Sequence, residues 1–131
     1  MAEELILMIE DNEKNRKLMR DVLQFQGYKT VESENAEEGL RLAGELKPTL
    51  ILMDIHLPGM NGIEALGALR ADPATRGIPV MAVTASVMPQ DRQMVTNAGF
   101  DAYQSKPINV KEFVAAIKEL LKRPPKVGKS P

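Results

Sequence analysis

The chain contains no cysteine. Disulfides, cysteine-ligated zinc and thiol catalysis are thereby excluded, and the absence fits an intracellular protein. An excess of charge of one sign is also lacking: 17 Lys and Arg stand against 18 Asp and Glu, a formal net charge of -1. Nothing global favours nucleic acid or an anionic membrane as partner. No apolar run approaches the length that spans a bilayer. Met1-Ala2-Glu3-Glu4 leads into the first apolar run without a basic stretch or a small-residue cleavage site, so no signal peptide is expected. Histidine occurs once, at His56. What is present is 131 residues, 44% apolar and 27% charged, the make-up of one soluble domain with a proper core, expected in the cytoplasm.

Three apolar runs stand out, at residues 5–9, 50–53 and 78–83. Each has strand length and is nearly continuous rather than alternating, the pattern of strands covered on both faces in a parallel sheet. Residues 28–32 and 102–105 are two weaker strands. Helical patterns lie between them. After Asn12, the spacing of Leu18, Val22 and Phe25 predicts a helix with those three on its buried stripe, ending at Gly27. Asn35 with Glu38 reads as a capping box before Ala36, Leu40 and Ala43, and Pro48 closes that connection. Ile63, Leu66 and Leu69 mark a third helix, ending near Asp72-Pro73; residues 89–98 form a more polar fourth, stopped by Gly99. Asn109 with Glu112 opens a fifth, carrying Phe113, Ile117, Leu120 and Leu121. The order βαβαβαβαβα implies a single α/β domain, a doubly wound five-stranded parallel sheet with five helices. The tetrad LILM occurs at residues 5–8 and again at 50–53, but its flanks do not match, so it marks two buried strands rather than a repeat.

Ligands of open α/β sheets bind outside the carboxyl ends of the strands. The residues there are Glu10 and Asp11, then Asp54, Thr84 and Lys106. Three carboxylates crowded together repel one another, and a hard divalent cation such as Mg²⁺ removes the conflict. A carboxylate beside Mg²⁺ and a lysine is equipped to attack phosphorus, since metal and ammonium neutralise charge on the phosphoryl oxygens. A threonine hydroxyl can donate to the same group. Any one of these residues alone is more often a helix cap or a solvated charge. Five of them, gathered after four different strands, are hard to dismiss in that way.

At this point the chain resembles the receiver domain of two-component response regulators, over residues 5–121. The resemblance rests on Glu10-Asp11-Asn12, on MDIHLPGMNG at 53–62, on VTA at 83–85 and on SKP at 105–107. The ED-N start and KPI ending are similar to the stand-alone polar cell-division regulator group of alphaproteobacteria; receivers belonging to hybrid kinases are similar as well. The family implies a flavodoxin-like fold, with Asp54 as phosphoacceptor served by a histidine kinase or a histidine phosphotransfer protein. It implies Mg²⁺, with Mn²⁺ as a substitute, on Glu10, Asp11, Asp54 and the backbone carbonyl of His56. Lys106 pairs with the phosphoryl oxygens, Thr84 and Tyr103 act as the switch pair, and Lys106-Pro107 is a cis peptide. Glu10 stands where Asp is commoner, so its extra methylene shifts the metal or makes the contact water-mediated. His56 and Ser86 occupy variable positions facing the attacking water and are expected to tune the lifetime of the phosphorylated state.

The receiver is expected over residues 1–122, with 123–131 (RPPKVGKSP) a disordered basic, proline-containing tail. The tail has no room for an effector, so output is expected by phosphorylation-dependent protein contact through the fourth helix, fifth strand and fifth helix. Gln90, Arg92, Gln93 and Tyr103 belong to that face. Catalysis is expected only on the chain itself, which is otherwise not an enzyme. Competing readings are weaker. A dinucleotide-binding protein needs glycines after the first strand, and EDNEKN has none. A Mg²⁺-dependent phosphatase or nuclease needs D-x-D patterns that are absent. A receiver-like binding module independent of phosphate is the remaining alternative.

Overall fold

The computed structural model describes residues 4–85 and 89–122. In chain order the elements are β1 (Leu5–Ile9), α1 (Glu13–Phe25), β2 (Lys29–Ser33), α2 (Ala36–Leu46), β3 (Leu50–Asp54), α3 (Gly62–Ala71), β4 (Val80–Thr84), α4 (Pro89–Ala98), β5 (Ala102–Ser105) and α5 (Val110–Lys122). All strand pairs are parallel, in the order β2-β1-β3-β4-β5. This is the flavodoxin-like doubly wound sheet.

The apolar runs are continuous because alternate residues serve opposite faces. Leu7, Ile9, Ile51, Met53, Val80 and Ala82 pack under α2, α3 and α4, with Ala43, Leu66 and Val95. Ile6, Met8, Leu50, Leu52, Met81 and Val83 pack under α1 and α5, with Leu23, Phe113 and Ile117. Register settles the meaning of the two LILM tetrads. Ile6 pairs with Leu50 and Ile9 with Met53, so the tetrads lie one residue out of step and like residues face opposite sides. The next step along each chain sets Glu10 beside Asp54.

Helix starts follow their capping chemistry. The side chains of Asn12, Asn35 and Asn61 accept from the backbone N–H groups of Asn15, Glu38 and Glu64. A reciprocal capping box is complete at Asn61–Glu64, a site not expected from the sequence. At Asn35–Glu38 only the Asn35 half is seen.

One expectation about α1 is corrected. Its buried stripe is Met19 and Leu23, with Val22 half-buried, whereas Leu18 is 39% and Phe25 88% exposed. Leu18 and Phe25 lie one position before and two after the true stripe, about 100° and 200° around the helix. Tyr28, just before β2, packs half-buried on this face. Ser86, the Arg92 side chain and the tail 123–131 lie outside the described residues.

Candidate functional site

The carboxyl ends of β1, β3, β4 and β5 bring the predicted residues together. Asn12, rather than Asp11, caps α1, which leaves the exposed Asp11 carboxylate at the mouth of the site. Glu10, Asp11 and Asp54 each present an oxygen within 4.8 Å of the others. Glu10 and Asp54 are buried, at 1% and 5% exposure. From the far side the Lys106 ammonium reaches both, 3.0 Å from Asp54 Oδ2 and 2.8 Å from Glu10 Oε1. It donates a well-formed hydrogen bond to Asp54, but toward Glu10 it lacks that alignment, and Glu10 Oε1 is a buried oxygen without a hydrogen-bond partner.

Backbone contacts fix the rest. Asp54 Oδ1 accepts from the His56 N–H at 3.0 Å, and Glu10 Oε2 from the Asn12 N–H at 3.1 Å. The Lys106 N–H donates to the Thr84 carbonyl at 2.9 Å, tying the β5 end to the β4 end, and the Lys106-Pro107 bond is cis, as expected. Thr84 is buried, and Tyr103 pairs in register with Ala82, two residues before it. Both therefore lie on the same side of the sheet, where Tyr103 packs half-buried against the core under α3 and α4. The His56 side chain is exposed, with no part in the acid cluster.

Burial pushes the Glu10 carboxyl above its ordinary range; the nearby Lys106 lowers it and Asp54 raises it again. For Lys106 burial acts downward, but Glu10 and Asp54 outweigh it and hold the ammonium above the usual lysine value. Three carboxylates against one ammonium leave two negative charges in a confined place. With all-oxygen donors and negative charge in excess, the set fits a hard divalent cation.

Two residues were not foreseen. A Cβ on Gly62 would lie 2.6 Å from the Asp54 carbonyl oxygen and 2.9 Å from Ile55 Cα, so only glycine lets α3 begin directly against the Asp54 backbone. Arg16, on the second turn of α1, donates to the Glu10 carbonyl at 2.8 Å. The only signal for it was an arginine at helical spacing beyond the acids, which many surfaces share.

Comparison with known proteins agrees with this geometry. The response regulator receiver domain family matches residues 6–118. The polar-differentiation response regulator DivK of Brucella anthropi is 46% identical over 116 residues, covering 88% of this chain and 94% of its own. Among solved structures, the CheY-like response regulator receiver domain protein of Methanospirillum hungatei superposes with a TM-score of 0.81 at 32% identity, over 92% of this chain and 94% of that one. The receiver domain of the sensor histidine kinase PA1611 of Pseudomonas aeruginosa, described with a magnesium ion in its active-site cleft, gives 0.86 at 29% identity, over 93% of this chain and 100% of that one.

Proposed function

The chain belongs to the response regulator receiver domain family, and on that premise we propose that it takes a phosphoryl group onto Asp54 from the phosphohistidine of a histidine kinase or a phosphotransfer protein. The observation that carries the proposal is the Lys106 ammonium, 3.0 Å from Asp54 within the three-acid cluster. An Asp54 oxygen forms the new O–P bond while the donor's P–N bond breaks, and the donor imidazole leaves with the electron pair. Lys106 draws the incoming phosphoryl oxygens and balances the charge they bring. The His56 N–H holds Asp54 Oδ1, so that one carboxylate oxygen is oriented while the other reacts. Glu10, Asp11, Asp54 and the His56 carbonyl would hold Mg²⁺ or Mn²⁺, which supplies neutralising charge for the transferring group. Once phosphorylated, Asp54 attracts the Thr84 hydroxyl, and Tyr103 on the same side of the sheet follows it inward. The face of α4, β5 and α5 is then reshaped for a protein partner. His56, whose side chain is exposed, and Ser86 set how fast water removes the phosphoryl group.

Receiver domains are not enzymes in the ordinary sense, and the chemistry here falls on the chain's own aspartate. Among the described residues no helix is long and apolar enough to cross a membrane, in keeping with action in the cytoplasm. The test is intact mass after incubation with Mg²⁺ and acetyl phosphate. One added phosphoryl group, lost in Asp54→Asn and without Mg²⁺, is expected. An unchanged mass, together with partner binding indifferent to beryllium fluoride, would establish the phosphate-independent module instead.

A further inference from the structure

The end of β1 is held in place by a residue that reaches the Glu10 main chain rather than a carboxylate of the acid cluster. The Glu10 N–H donates to the Ser33 carbonyl of β2 at 3.0 Å. Its carbonyl accepts from Arg16 Nη1 at 2.8 Å. That carbonyl belongs to the peptide joining Glu10 to Asp11, so the bond fixes the plane from which both carboxylates set out. Arg16 is itself held: its Nε lies 3.3 Å from Glu32 Oε1 on β2, while Arg20 grips Glu32 Oε2 at 2.6 Å. The Arg16 side chain is only 11% exposed. A guanidinium has the planar fork for a carbonyl and a carboxylate at once, whereas a lysine must choose between them.

We infer that Arg16, braced by Glu32, is a positioning residue that sets the Glu10–Asp11 turn for cation binding. The inference rests on the metal reading given above. It also makes a claim about sign. A cation beside a divalent metal repels it, so on charge alone removing Arg16 would tighten binding. If Arg16 positions the ligands, its removal weakens binding, because groups that orient metal ligands typically carry about tenfold or more in metal affinity.

The probe is Mn²⁺ alone, with free ion followed by electron paramagnetic resonance and the whole chain used throughout. Arg16→Ala is expected to raise the dissociation constant about tenfold, and Arg16→Lys by less. Adding Glu32→Gln to Arg16→Ala should change little further, since the brace has nothing left to hold. Without metal, the Glu10 carbonyl ¹³C and Asp11 amide ¹⁵N resonances should move in Arg16→Ala while those of β4 stay. If Arg16→Ala does not fold, Arg16→Lys and Glu32→Gln carry the same comparison. Wild-type protein that fails to bind Mn²⁺ would overturn the metal reading and this inference together. Wild-type binding with equal or tighter binding by the Arg16 variants would overturn this inference alone.

Discussion

Two glycines on α2 ought to answer the same substitution with opposite signs. A Cβ on Gly39 would press first on Ile9 Cδ1 and would also sit 2.7 Å from Ile9 Cγ1 and 3.3 Å from Ile9 Cγ2, where helix and strand are pressed together. Ile9 is fully buried and β-branched, so it has few ways to yield. Forcing a methyl into such a place costs about 1–3 kcal/mol. Against that stands the gain of about 1 kcal/mol for alanine over glycine in a helix. Gly39→Ala is therefore expected to destabilise by about 1 kcal/mol net. Gly44, one turn and a half later on the same helix, has nothing within 4 Å of a new Cβ. Gly44→Ala keeps the helix gain and should stabilise by about 0.5–1 kcal/mol. Urea unfolding followed by circular dichroism, with chelator present, resolves the difference of about 2 kcal/mol. A third variant tests the cause. Ile9→Val alone costs about 1 kcal/mol, yet combined with Gly39→Ala it removes Cδ1, the atom nearest the new methyl, so the pair should lose less than the sum. Equal stability of the two glycine variants, or strict additivity with Ile9→Val, would refute the packing argument. Because Ile9 immediately precedes Glu10, Gly39→Ala should also loosen the acid cluster.

The corrected stripe on α1 predicts that Leu23→Ala loses about 3 kcal/mol, as a buried leucine does, while Phe25→Ala stays within about 0.5 kcal/mol of wild type; comparable losses by urea unfolding would restore the original assignment. For Lys106 the pH dependence has a definite sign. Its folded-state pKa is raised above the ordinary 10.5, so the stability it contributes is complete below that value and is lost as pH climbs through the raised one. In chelator, the stability gap between wild type and Lys106→Met should thus hold at neutral pH and narrow only above about pH 10.5; a gap that closes already near pH 9 would contradict the ion pairing.

The strands were legible because burial on both faces leaves little choice of residue: β1 and β5 were bounded correctly, β3 adds only Asp54, β4 starts two residues later and ends one later than expected, and β2 is shifted by one residue. Helices with a single covered face were read less surely. On α5, Phe113, Ile117 and Leu120 are buried with Val114 and Leu121 half-buried beside them, so the apolar residues make one broad stripe. On α1, Leu18, Met19, Val22, Leu23 and Phe25 offer two overlapping stripes, and sequence spacing cannot decide between them. What decides is which stripe fits against Ile6, Met8 and Phe113, and that depends on the sheet's twist and on α5. The capping box at Asn61 was hidden in the same way, inside a stretch whose glycines and proline read as loop.

The site divides along the same line. Glu10, Asp11, Asp54, Thr84 and Lys106 could be found because each is costly or out of place at the end of a buried strand, and the topology collects strand ends without needing further detail. Their convergence needs only strand order and a one-residue offset between the two LILM tetrads. Gly62 and Arg16 act otherwise. Gly62 matters for the space it leaves beside Asp54, and an absent side chain carries no pattern. Arg16 matters through a main-chain oxygen on one strand and a carboxylate on another, partners that any arginine on a helix flank might have and that only register supplies. A reading from sequence thus reaches the groups that would meet the phosphoryl group, and stops short of those that hold them in position.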